Sequence, residues 1–148
     1  MAVTLFGLTG VTAAVQPAKV NKPVPVAQQF VNITTSPDRL NLGTTTFPGI
    51  HDLPEALTVE VESNCLHGSI VISSTKLTRR GGGVIMPERI SVQSPATVGY
   101  VKMSKPVAIS KPTEGSHKIV LDFRVQSDMI DLAGKYTGTF TFTIMPPV

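Results

Sequence analysis

Apolar and polar side chains alternate one by one along much of this chain, most clearly in two stretches of its last third. Ile119, Leu121, Phe123 and Val125 interleave with Val120, Asp122, Arg124 and Gln126, and Tyr136, Gly138, Phe140, Phe142 and Ile144 with Thr137, Thr139, Thr141 and Thr143. A period of two puts each set on its own face, which is the pattern of a half-buried antiparallel strand. Leu57, Val59 and Val61 alternate with Thr58, Glu60 and Glu62 in the same way. Shorter runs predict strands at Phe30–Thr34, closed by Ser36-Pro37-Asp38, at Leu40–Leu42 after a kink, and at Ile70–Ile72, where a turn at His67-Gly68 makes a hairpin with the preceding strand across Ser63–Gly68. Ile90–Val92, Val98–Met103 and Val107–Ile109 complete the set, and a helical turn is predicted over Ser127–Ala133. The whole reads as an all-β, immunoglobulin-like antiparallel β-sandwich of about seven to nine strands.

Composition sharpens this picture. The 148 residues are enough for one core without staples, and twelve glycines and twelve prolines spread along the chain exclude long helices. The formal charge of +3 is too small to argue for nucleic acid, and the aromatic residues, 5% of the chain, are not interleaved with Lys and Arg as base-stacking surfaces require.

The start of the chain reads differently from the rest. Ala2–Val15 is uncharged, mostly apolar or small, and ends in Thr12-Ala13-Ala14 before Gln16-Pro17, as the core and cleavage region of a secretory signal peptide do. No basic segment precedes it, so residues 1–15 are read as a truncated leader; the competing reading is a first β-strand interrupted by Gly7 and Gly10. The run is too short to span a membrane. Residues 16–28, with three prolines and two lysines, read as an extended linker, and residues 29–148 as the sandwich.

Candidate chemistry is sparse. Cys65 stands alone, so no intramolecular disulfide forms; its nearest base in sequence is His67, and core packing accounts for it better than nucleophilic catalysis. His51, His67 and His117 are far apart and make no HExxH pair. Arg79-Arg80-Gly81-Gly82-Gly83 offers guanidinium groups and backbone amides to an anion but lacks the Lys-Ser/Thr of a phosphate loop, and reads as a hairpin tip. Asp122, Asp128 and Asp131 do not have the spacing of a calcium loop. Glu60 and Glu62, about 7 Å apart on one strand face, match a glycosidase carboxylate separation but read as one solvated face. Asn32-Ile33-Thr34 is a glycosylation sequon. Among the aromatic residues, Tyr100 and Phe47 are the two free to serve as a sugar platform. No catalytic, cofactor-binding or metal-binding residues are therefore assigned, and the chain is expected not to be an enzyme.

Asp131-Leu132-Ala133-Gly134-Lys135-Tyr136 resembles the turn-into-strand corner of immunoglobulin-like domains, with Gly138 where antibody domains have a cysteine. Together with Leu42-Gly43-Thr44, Ser63-Asn64-Cys65 and Ala133–Thr139, it resembles a secreted bacterial Ig-like domain of the kind found in fimbria-like and cell-surface proteins, over residues 30–146. The resemblance extends distantly to pilins, sandwiches completed by an N-terminal extension of a neighbouring subunit; Pro23, Pro25, Pro147 and the single cysteine depart from that pattern. It implies a bacterial, secreted or cell-surface protein that is structural or adhesive and non-catalytic, needs no cofactor, and assembles with itself or with other surface proteins through edge strands or its N-terminal extension. The alternative is a monomeric secreted module that binds a carbohydrate or protein ligand.

Overall fold

The computed structural model describes residues 3–12, 28–45 and 48–146, with 3–12 and 44–45 as backbone alone. Its strands are β1 (Val3–Thr12), β2 (Val31–Ser36), β3 (Arg39–Thr45), β4 (Gly49–Ser63), β5 (Leu66–His67), β6 (Ile70–Ser74), β7 (Leu77–Arg79), β8 (Val84–Ile85), β9 (Ile90–Gln93), β10 (Val101–Lys102), β11 (Val107–Ala108), β12 (Thr113–Glu114), β13 (His117–Ser127) and β14 (Gly134–Ile144). One sheet has the order β11-β6-β14-β1-β3, with β7 also on β14 and β8 on β7; the other has the order β10-β9-β13-β4-β2, and β12 pairs β5 in a separate ribbon. The sheets pack as an all-β sandwich. The strand read at Val107–Ile109 is two residues long, and the short β7 and β8 lie where the sequence announces no strand.

The alternating stretches predict the core correctly. Phe123 of one sheet stacks on Phe140 of the other, ring centroids 5.1 Å apart. Around this pair Leu57, Val59, Ile70, Ile72, Leu121 and Phe142 are fully buried. Inward-facing residues of both sheets meet because each strand offers every second side chain to the same interior.

Three predicted details are corrected. β4 and β6 do not form a hairpin: they lie in different sheets, and residues 64–69 cross between them. The crossing is fixed by Gly68, where a Cβ would lie 2.2 Å from the Met145 carbonyl oxygen, so only glycine lets the connection pass beneath the C-terminal strand. The predicted helical turn after Ser127 is a hydrogen-bonded turn, and the one short helix among the described residues is the 3-10 turn Pro87–Arg89, which carries proline at its first position. The predicted strand over Val98–Met103 shrinks to Val101–Lys102.

β4 also extends eight residues before the run of apolar alternation that announced it. It pairs with β13 on both sides of a bulge at which Pro54, Glu55 and Ala56 oppose Asp122 alone. Proline removes a ladder donor and is tolerated at bulges; Glu55 takes φ +49° there. Its N–H is recovered by the Asp122 carboxylate at 2.7 Å.

The β13–β14 connection joins the sheets and is fastened at three points. Arg89 donates two hydrogen bonds to the buried Asp131 carboxylate. The same carboxylate accepts the Asp128 N–H at 2.6 Å. Tyr136, itself buried, donates its hydroxyl to the Leu132 carbonyl at 2.9 Å. The Arg89 hydrogen bonds hold Asp131 below the ordinary aspartate range, against the opposing effect of burial. A carboxyl whose pKa is depressed by folding contributes stability above its unfolded pKa and loses it as pH falls through the folded value. Asp131→Asn is therefore expected to lower the unfolding free energy by about 3 kcal/mol at pH 7. In urea denaturation series, the difference from the unsubstituted protein should shrink as pH falls below about 4.

Candidate functional site

β14 has β6 and β7 along one edge and β1 along the other. Among the described residues, β3 has no partner in its sheet except β1. The two strands thus form the walls of a slot one strand wide, and Val3–Thr12 fills it. β1 runs parallel to β14 from Val3 opposite Gly134 to Thr12 opposite Thr143, and antiparallel to β3 from Val3 opposite Thr45 to Leu8 opposite Arg39. All other strand pairs among the described residues are antiparallel.

The wall formed by β3 arises from a strand that changes sheets. β2 lies on β4 in one sheet, then the chain turns at Pro37-Asp38 and continues as β3 in the other. Leu40 and Leu42 pin β3 to the core. Between them and the strand end, Leu42 is an extra residue in the ladder: Leu5 opposes Gly43 and Phe6 opposes Asn41. Gly43 takes φ +90°, which glycine adopts without a Cβ clash, and the Asn41 side chain accepts its N–H at 2.8 Å.

The sequence reads residues 1–15 as a leader and sets a first strand against that reading; the structure pairs Val3–Thr12 as a strand. The linker assigned to residues 16–28 lies, apart from Gln28, outside the described residues, as does Phe47. Its far end is anchored. Asn64 donates from its side-chain amide to the Gln28 carbonyl at 2.9 Å and accepts the Phe30 N–H at 2.9 Å. That clamp is a polar contact between residues more than thirty positions apart, and no local pattern announces it.

The other candidate residues fall into separate places. Cys65 is half-buried against the core, with Sγ 3.7 Å from both Ser63 Oγ and the Phe30 carbonyl oxygen. His67 and His117, distant in sequence, stack at 5.2 Å. Each imidazole turns Nδ1 to a backbone carbonyl, of Gly68 and Gly115 respectively. His51 is elsewhere, 3.1 Å from Ser127 Oγ. Among the described residues no group of three or more His, Cys, Asp or Glu side chains has metal-binding geometry. Asp122, Asp128 and Asp131 are spent on backbone amides and Arg89.

Glu60 pairs with Lys118 at 3.0 Å, and with Glu62, Phe30 and His117 it borders a shallow groove. Arg79 lies over Gly134, where a Cβ would meet its Cδ at 2.4 Å, so the glycine-rich tip at 81–83 sits beside the β13–β14 connection. Tyr100 carries the Arg124 guanidinium 4.0 Å from its ring centroid. Arg124 in turn holds the Asp52 carboxylate with two hydrogen bonds, of 2.6 and 3.0 Å, which lower the Asp52 pKa.

Comparison of the sequence with protein-family models gives no match. Comparison with curated proteins gives none either.

Because β3 owes its ladder to β1 alone, removing residues 1–27 should leave Leu40 and Leu42 buried but strip β3 of backbone partners. Amide hydrogen exchange is expected to show protection of residues 39–43 in the full chain and its loss in the shortened one. The unfolding free energy should fall by at least ~3 kcal/mol, from several net backbone hydrogen bonds lost together.

Proposed function

We propose that this is a non-catalytic structural or adhesive protein of the bacterial cell surface whose copies associate through the strand slot between β14 and β3. One observation carries the reading: a sheet of the sandwich is completed by a ten-residue N-terminal strand held between two otherwise unpaired edges. Such a slot recognises a strand largely by main-chain hydrogen bonds, so it accepts the same segment from its own chain or from another copy. The surface location rests on the resemblance of residues 30–146 to secreted Ig-like domains, and the reading requires residues 3–12 to be kept in the mature chain.

A second reading, a monomeric binding module for a carbohydrate or protein ligand, is favoured by the half-buried Tyr100 with Arg124 and Asp52 beside it. Aromatic and charged groups of this kind are usual in polar ligand sites.

Light-scattering mass and negative-stain microscopy on the full chain and on a form beginning at Gln28 separate the two. The full chain is expected to give species of more than one chain at high concentration and the shorter form to stay single. Single chains from both would remove self-association and leave the binding module. Mass spectrometry of protein recovered from the cell surface should find residues 3–12 present; a mature chain beginning near Gln16 would remove the strand and with it the proposed mode of association.

A further inference from the structure

The direction of β1 determines what kind of assembly an exchanged strand makes. β1 is parallel to β14, so its last residue, Thr12, leaves the slot opposite Thr143. The body of the chain resumes at Val31, opposite Ser63 of β4. Ser63 is connected to Ile70 by the short crossing at residues 64–69, and Ile70 pairs with Ile144. The exit of the slot in one sheet and the start of β2 in the other therefore share one end of the sandwich. The Asn64 clamp on Gln28 and Phe30 fixes the tether to the body at that same end.

The two packed sheets lie roughly 10 Å apart. Residues 13–27 reach up to roughly 50 Å when extended. Nothing in the length of the tether confines β1 to its own slot.

When the strand of one copy occupies the slot of another, the tether leaves the acceptor at its Thr143 end and joins the donor at its Val31 end. These are equivalent ends of the two bodies, so the bodies face each other end to like end. The donor's vacated slot then has its exit beside the acceptor's own tether, and the return exchange is within reach. A straight head-to-tail fibre is favoured by a different relation, in which the donor segment leaves one end of the body and the slot releases the tether at the opposite end. An antiparallel β1 would satisfy that condition; the parallel one does not.

The geometry points to a closed, two-fold dimer formed by reciprocal exchange of Val3–Thr12, with the two Thr143 ends apposed. This inference rests on the self-association proposed above and narrows it from open assembly to a two-chain unit. The partner chain contributes an entire strand of the sheet, so each sandwich is completed by its neighbour.

A register-specific cross-link tests it. Thr4 and Lys135 are Cα partners across β1 and β14, and neighbouring strands lie at a separation a disulfide spans. The full chain carrying Thr4→Cys, Lys135→Cys and Cys65→Ser is concentrated, oxidised and run on a denaturing gel without reductant, with the 4–135 linkage verified by peptide mass spectrometry. The expected result is a covalent species of two chains, twice the single-chain mass, and nothing larger. A ladder of three, four and more chains would overturn the closed dimer while leaving strand exchange in place. Single chains at every concentration would show that the strand keeps to its own slot and would overturn both the dimer and the self-association on which it rests. Sedimentation analysis of the unsubstituted full chain gives the same discrimination if the triple variant fails to fold: two chains support the closed form, larger species or single chains overturn it.

Discussion

Backbone hydrogen bonding at the edge of β14 is the constraint on which the rest of the architecture depends. That strand supplies Tyr136, Phe140, Phe142 and Ile144 to the core, so it cannot be moved or shortened without opening the interior. One of its edges is covered by β6 and β7. Its other edge faces β3 across a gap one strand wide, and β3 has been brought into that sheet by the change of sheet at Pro37-Asp38. An unpaired edge next to a buried core is both a cost and a template. The N-terminal strand resolves both at once, which joins the stability of the sandwich to the question of which chain supplies the strand.

The remaining fastenings serve to keep the slot walls where they are. Arg89 with Asp131, and Tyr136 with Leu132, hold the connection from which β14 starts. Gly68 lets the crossing between sheets pass under the end of β14. Asn64 ties the start of the body to that same end. In each of these polar contacts the group is spent on a backbone atom or an opposite charge that fixes a chain segment.

Much of the sandwich was legible because burial on one face of a strand leaves a period of two in the sequence. Residues 119–125 and 136–144 announced both their strand character and their core faces, and Ser36-Pro37-Asp38 announced the kink between β2 and β3. What the sequence concealed was pairing between distant segments. The apolar run of β4 begins at Leu57, so the exposed or half-buried residues from Gly49 to Ala56 carry no alternation, although Gly49–Leu53 pair with β13. The supposed hairpin at Ser63–Gly68 failed because a short apolar run after a turn fits the next strand of the same sheet as well as the first strand of the other. The slot was the least legible feature. Its uncharged N-terminal segment satisfies the composition of a leader and of a strand alike, and its partner β14 lies more than a hundred residues away.

That separation also sets an order of events. Of the described strands, β1 emerges first during synthesis and its partner β14 last, so β1 waits longest for its seat. Pairing between segments more than a hundred residues apart closes a large loop and comes late in folding. Throughout that interval both the free strand and the open slot are available to any copy nearby. For the self-association proposed above, the local concentration of nascent chains is then a determinant alongside the final contacts.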